Sequence, residues 1–321
     1  MRIAKFFVII FLLLWMAPPS FAGPFSPGKG GVDEAGFMDA GIAGFVDGVV
    51  NPVFQGWATK VIEYSPSDET TFYGQNSIGP EYADPSKALG AVTGSNTDIV
   101  SLGDMHPDEL TAYFDGIGYG PATLTLGFDH AIVNGEGADF ATFENGFIST
   151  YNTGDGSVSG MMFAELGYVE VSTNGIDFAR FPNQYFNYLD GGPSSQSYLT
   201  QDVSNIYNLA GKHANAYGES FGTPFDLDDL SFHYYVLTGL VDLNEINYVR
   251  IVDIPGDGSF YDSYGNSIYD AWVTFGSGGM DFEALGVINQ APFSPSVPVP
   301  SAFLLLACGL VGLAGAARRI N

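Results

Sequence analysis

The residues of this chain best suited to chemistry are oxygen ligands placed at the ends of strands. Gly135 to Phe147 reads Gly-Glu-Gly-Ala-Asp-Phe-Ala-Thr-Phe-Glu-Asn-Gly-Phe, an apolar strand in which Phe140 and Phe143 bracket Thr142 and whose polar end, Glu144-Asn145, opens a loop. Glu165 begins another strand, Asp253 finishes a third, and the loop that follows carries Asp257, Asp262 and Asp270. If the strands alternate in direction, Glu144, Asn145, Glu165 and Asp253 arrive at one end of the same sandwich. Carboxylates together with an amide oxygen are the donor set of a hard cation, calcium above all. The plainer alternative is that these acids cap turns or face water. No tight Asp-x-Asp-x-Asp loop marks a ready-made calcium site.

Other chemistries find weaker footing. Tyr269-Asp270-Ala271-Trp272 supplies the aromatic and hydrogen-bonding types that bind carbohydrate, although a lone Trp such as Trp272 more often plugs the mouth of a sandwich. Gly218-Glu219-Ser220-Phe221-Gly222 has the letters of a nucleophile elbow. That motif needs a strand before it and a helix after, whereas Lys212-His213-Ala214-Asn215 precedes it and Pro224 follows, so the match is one of chance. His106, His130, His213 and His233 lack zinc-ligand spacing. Glu144 with Glu165 or Asp253 could form the acid–base pair of a polysaccharide-acting enzyme, which would need a separation of roughly 5–9.5 Å. That is the alternative to a non-catalytic role. Cys308 is the only cysteine and lies in the tail, so the body has no disulfide, thiol nucleophile or thiolate metal site.

The elements that must position these groups read as short strands joined by long loops. Val53–Tyr64, Ile99–Leu102, Ala122–Phe128, Glu165–Ser172, Ile176–Phe181, Asn247–Asp253 and Asp281–Ile288 alternate or are rich in β-branched and aromatic residues. Asn174-Gly175 supplies the positive φ of a hairpin turn. His106–Phe114 reads as one or two helical turns with Pro107 at the start, and Val203–Leu209 as a weak helical patch. The expectation is an all-β, antiparallel β-sandwich.

Composition sets the boundaries. Arg2, Lys5, an apolar run to Met16 and Ser20-Phe21-Ala22 form the pattern of a signal peptide over 1–22. The apolar run is short of the roughly 20 residues a permanent span needs. Residues 23–50 form an irregular lead-in expected to pack on the body, 51–290 the sandwich, 291–296 a linker and 297–321 a tail. The tail holds Val297-Pro298-Val299-Pro300, an apolar run from Ser301 to Ala317, and Arg318-Arg319, in the order of a short membrane helix with a basic cytoplasmic end. Of ten Lys and Arg, Arg2, Lys5, Arg318 and Arg319 lie in the two terminal segments, leaving six against 36 acids in the body. So acidic a surface excludes binding to nucleic acid or anionic lipid. It suits divalent cations, or simply solubility outside the cell.

The tail resembles the PEP-CTERM sorting signal of Gram-negative bacteria, with Val299 where that signal usually has glutamate. The resemblance implies transient membrane insertion, recognition by an exosortase, and release to the cell surface or an exopolysaccharide matrix. An ordinary single-pass anchor is the alternative. Glu-Val-Ser-Thr-Asn-Gly-Ile-Asp-Phe (170–178), Tyr-Val-Arg-Ile-Val-Asp (248–253) and Asp-Phe-Glu-Ala-Leu-Gly (281–286) resemble the jelly-roll framework of galactose-binding-like and discoidin-type domains. With Ala-Asp-Pro-Ser-Lys-Ala-Leu-Gly (83–90) and the Gly135–Phe147 stretch, the chain is similar to bacterial cell-surface proteins with the same order of motifs. This likeness implies a second calcium candidate, Asp84 with Asp281 or Glu283, between an early loop and the last strand. The function expected is a secreted, calcium-stabilised protein that binds glycan or matrix, or has a structural role there.

Overall fold

Strands form where β-branched and apolar residues can bury one or both faces. They are β1 (Ile42–Ala43), β2 (Gly56–Trp57), β3 (Lys60–Ser65), β4 (Val100–Ser101), β5 (Thr123–Ile132) and β6 (Phe140–Glu144). There follow β7 (Gly167–Ser172), β8 (Ala179–Arg180), β9 (Phe221–Phe225), β10 (Ile246–Asp253) and β11 (Asp281–Val287). The computed structural model describes residues 23–67, 77–187 and 196–292. The signal segment 1–22 and the sorting residues Val297, Pro298, Val299, Pro300, Arg318 and Arg319 lie outside the described residues. Met1–Ala291 and Pro292–Asn321 separate as two units, and the fold is that of the first.

One sheet is six-stranded, in the order β1-β9-β6-β11-β2 with β4 also on β11; the other is five-stranded, β8-β7-β10-β5-β3. Every pairing in both is antiparallel. Leu124, Leu126, Val169, Val171, Val249 and Ile251 of the second sheet share a single buried cluster with Phe140, Phe225, Phe282, Leu285 and Val287 of the first. The all-β, antiparallel architecture is therefore present. Burying a side chain such as Phe140 contributes roughly 1.5–3 kcal/mol, and its ring stacks on Phe225 at 5.3 Å.

Three local outcomes differ from the expectation. Val53–Tyr64 is not a continuous strand, because the chain changes sheets within it. Ala58 N–H donates to the Leu285 carbonyl of β11, and Thr59 N–H to that of Gly127 in β5. Val203–Leu209 is not helical beyond a 3-10 turn at Val203–Asn205, capped by Asp202, after which Ile206–Tyr207 pairs with Gln184–Tyr185. The lead-in is part of the sandwich rather than a preface to it. β1 pairs Ile42 with Gly222, and Ile42 and Phe45 cover Ala141 and Phe143 on the outer face of β6. Residues three apart on a strand face opposite ways, so Phe140 fills the central core while Phe143 needs this second cover.

Candidate functional site: a buried carboxylate cluster beneath an aromatic cleft

Antiparallel pairing brings strand ends of both sheets together. Glu144, the last residue of β6, is registered with Phe282, while Asp281 opens β11 opposite Ser101 of β4. In the other sheet Gly167, two residues past Glu165, is registered with Asp253, the last residue of β10. The Met280 N–H donates to Asp253 Oδ1 at 3.0 Å, tying the end of β10 to the start of β11 across the two sheets. Asp104, just beyond β4, joins through Thr274. The backbone N–H and hydroxyl of Thr274 each reach Asp104 Oδ2 at 2.6 Å, and the hydroxyl also lies 2.9 Å from Glu165 Oε1.

Thr274 has a single hydroxyl proton to share between two carboxylates, and its oxygen already accepts from the Gly279 N–H at 2.8 Å. The hydroxyl can donate fully to only one of the two carboxylates at a time, which disfavours ionisation of both in the absence of a cation. The electrostatics agree. Asp104, Glu144, Glu165, Asp253, Asp270 and Asp281 are all buried, and loss of hydration is the leading cause that raises each carboxyl. Asp104 is pushed up to about 6 and Asp281 to about 7. Glu144, Glu165, Asp253 and Asp270 are raised well above the usual carboxylate range by burial, and then by the charges of one another and of Asp104 or Asp281. Lys60, Arg180, Lys212 and Arg250 form their ion pairs elsewhere, with Asp129, Glu170, Asp39 and Glu170.

Two oxygens of the cluster, Asp253 Oδ2 and Asp281 Oδ1, are buried without a hydrogen-bond partner of good geometry, although Ser277, Ser101 and Asn145 stand close enough to the Asp281 carboxyl to ease its charge in part. An unmatched buried acceptor costs about 1–3 kcal/mol, and more when charged. Among the described residues, no three His, Cys, Asp or Glu side chains stand in finished metal-ligating geometry. The donors are nevertheless all oxygen, the type that calcium takes, and the two orphaned acceptors are what an added cation would satisfy. In that sense the residues fit the ion.

Above the cluster lies a cleft of about 620 Å³ whose walls include Asn145, Glu165, Thr274 and Asp281. Its rim is aromatic. A small sheet registers Phe147 with Phe163 and Phe163 with Thr200. The Phe147 and Phe163 rings stack at 4.9 Å, Tyr217 meets Phe147 edge-on at 5.1 Å, and Tyr198 lies 6.5 Å from Phe163. Tyr198 is 50% exposed and Tyr217 74%. Tyr217 also has a φ of 58°, a left-handed backbone that bulky residues rarely adopt. It is held there by its N–H, which donates to Asn96 Oδ1 at 2.8 Å.

Of the residues singled out in the sequence, Glu144, Glu165 and Asp253 come together, with Asn145 beside them in the cleft wall. Asp84 does not join them. It is exposed and caps its own turn, accepting from the Ser86 N–H at 3.0 Å. Glu283 is saturated elsewhere, accepting from Thr93 and Gly94 through Oε1 and from Asn215 Nδ2 through Oε2. A register shift between Phe282 and Ala284 separates it from Asp281. Asp262 accepts from Tyr185, Tyr264 and Asn266, as a turn cap does.

Tyr269, Asp270 and Trp272 are not an open sugar platform. Trp272 is 8% exposed and packs on Met105 and Leu110, its indole N–H donating to the Met105 carbonyl at 2.8 Å. Tyr269 lies against a second buried cluster. Asp270 accepts from the Leu166 N–H at 2.7 Å and belongs electrostatically to the carboxylate cluster. Ser220 leads into β9 rather than turning from a strand into a helix.

Sequence reasoning missed Asp104, Thr274 and the aromatic rim. Asp104 had a usable signal, since a strand at Ile99–Leu102 antiparallel to the last strand would end where the last strand begins. The rim had none beyond Phe147, because its rings come from short strands and loops far apart in the chain. No protein-family model matches the chain, and no curated protein matches its sequence.

Proposed function

We propose that this chain is a non-catalytic protein of the cell surface or extracellular matrix whose sandwich is stabilised by calcium at the carboxylate end. The sandwich would be of the jelly-roll, galactose-binding-like kind. The observation that carries the calcium reading is the pair of orphaned oxygens, Asp253 Oδ2 and Asp281 Oδ1, in a buried group of like charges. Asp253, Asp281, Glu165 and Asn145, with contributions from Asp104 and Glu144, would hold the ion, and its charge would let these acids ionise together. The signal-like start and the Val-Pro-Val-Pro tail support secretion and handling by an exosortase.

Melting the full chain in mild detergent, with calcium and then with chelator, tests this reading. Specific binding raises the melting temperature by mass action. An unchanged melt, with no calcium in the purified protein by elemental analysis, would sink it. One observation favours a second reading: Glu165 lines the cleft with its carboxyl raised, as a general acid requires. Release of reducing ends from a polysaccharide, abolished by Glu165→Gln, would establish hydrolysis in place of binding.

A further inference from the structure

We infer that Lys212 and Asp39 condense into an intramolecular isopeptide bond, a covalent cross-link that ties the lead-in to the sandwich. The site is separate from the carboxylate cluster and owes nothing to the calcium reading. It joins residues 173 apart in the chain, Asp39 in the lead-in and Lys212 on the segment that runs toward β9. The lead-in supplies β1 and part of the cover over Phe143, in a body that has no cysteine for a disulfide.

Lysine is almost never fully buried, because its ammonium loses hydration. The Lys212 side chain is nevertheless buried, as are Asp39, Glu34 and His213 around it. The Phe25 ring lies over Nζ at 5.4 Å and stacks in turn on Tyr207 at 5.0 Å, which closes the pair off from water. Two charges in so dry a place lose hydration that their attraction repays only in part. Burial holds the Lys212 ammonium below the usual lysine range, although the charges of Asp39, Glu34 and Asp202 act the other way. Passing one proton from Nζ to Asp39 leaves an amine against a carboxylic acid, the two reactants of an amide.

The hydrogen bonds around the pair suit that amide. Asp39 Oδ1 accepts from the Ser26 N–H at 3.0 Å, so it is the oxygen that stays as the amide carbonyl. The same N–H would steady the negative charge on Oδ1 while the C–N bond forms. Oδ2, the oxygen paired with Nζ, is the one that leaves. The single N–H of the product keeps the bond that Nζ already makes to the Ile206 carbonyl at 2.6 Å. Both ends of the amide are thus matched, and two buried charges are gone.

The step balances without a further reactant. The Nζ lone pair attacks Asp39 Cγ, the Cγ–Oδ2 bond breaks, and Oδ2 departs as water with the two protons that the nitrogen gives up. Glu34 is placed to relay the second of them. Its charge acts on Lys212 and its Oε1 is buried without a hydrogen-bond partner, while Oε2 is fixed by the Gly41 N–H and His213 Nε2. Holding amine and carboxyl in contact supplies an effective concentration on the order of 10⁵–10⁸ M, which offsets the poor reactivity of an unactivated acid.

Mass spectrometry of the full chain, purified in mild detergent, unfolded and digested with trypsin, tests this. The expected result is one branched peptide containing both Asp39 and Lys212, lighter by one water than its two arms, with no cleavage after Lys212. Asp39→Ala and Lys212→Met should each lack it. Glu34→Gln, shown to be folded by circular dichroism, should form the link at least tenfold more slowly in a time course after cell-free synthesis. The first readout is taken on the wild type, so a variant that fails to fold does not affect it. Wild type whose Asp39 and Lys212 peptides are recovered separately at full mass, even after prolonged incubation at neutral pH, would make the pair an ion pair only and overturn the inference. A link from Lys212 to any other carboxyl would overturn it too, and linking of Glu34→Gln at the wild-type rate would overturn the part given to Glu34.

Discussion

Replacing Asp281 by asparagine should change sign in its effect on stability between the calcium-free and calcium-loaded protein. In the folded chain burial pushes the Asp281 carboxyl from 3.8 up to about 7. A carboxyl raised on folding gives a folded state that binds more protons than the unfolded chain. Its contribution is therefore fully present below about pH 4 and is lost as pH rises toward 7. Each tenfold gain in proton affinity on folding corresponds to about 1.4 kcal/mol, so the loss across that window is on the order of a few kcal/mol. Asp281→Asn removes the charge that causes this loss. At pH 8 in chelator the variant should melt above the wild type, by several degrees at about 2–4 °C per kcal/mol. At pH 4 the two should converge.

Calcium reverses the order. At a hundredfold excess over its Kd the ion stabilises the wild type by about 2.7 kcal/mol, and it favours the ionised carboxylates that chelator leaves in mutual repulsion. The variant lacks one of those ligands and should gain little, so in calcium at pH 8 it melts below the wild type. Thermal scans of both proteins at pH 4 and 8, with and without calcium, provide the measurement. If Asp281→Asn melts lower in chelator at pH 8 as well, Asp281 is an ordinary hydrogen-bond acceptor and the reasoning is refuted. A wild-type melt in chelator that rises from pH 4 to 8 would contradict it equally.

Other perturbations probe separate parts of the molecule. Burial opposes the Glu34 carboxylate, but hydrogen bonding and charge from His213, with the N–H groups of Gly41 and Gly30, hold its carboxyl down at about 2. That contribution is present above about pH 4.5 and lost as pH falls toward 2, the reverse of Asp281. The lead-in should then become sensitive to an acid-active protease below pH 4, and resistance at pH 2.5 equal to that at pH 6 would contradict the assignment. Lys212, buried and paired with Asp39, should cost about 3–5 kcal/mol when replaced by methionine, because Asp39 is left uncompensated; denaturant melts read this directly. Tyr217→Gly should stay within about 1 kcal/mol of the wild type in stability, since relief of the left-handed backbone offsets the lost contact with Phe147.

Much of the frame is written locally. Alternation in Ala122–Phe128, Glu165–Ser172 and Asn247–Asp253 marks strands with one face toward the central core, and β5, β7 and β10 lie there, although the second face of β7 is buried as well. Asn174-Gly175 turns the chain between β7 and β8, with Gly175 at a φ of 75°. Pro107 and the Glu109 carboxylate, accepting from the His106 N–H at 2.7 Å, start the helix Pro107–Phe114 where those residues stand. These features depend on neighbours in the chain, so the chain displays them.

Which acids meet is a different kind of fact. Asp281 and Glu283 are two residues apart and look equivalent, yet one lies in the carboxylate cluster and the other is bound to Thr93, Gly94 and Asn215. Trp272 looks like a binding aromatic and is core, while Tyr198 and Tyr217, unremarked in the sequence, form the rim. Local patterning determined the strands, their ends and hence that polar residues would collect at those ends. Only the packing of two sheets against each other decided which of them share one buried volume. Burial and charge depend on everything within a few ångströms in space, and residues as far apart as Asp104 and Thr274 become neighbours only after the sheets close.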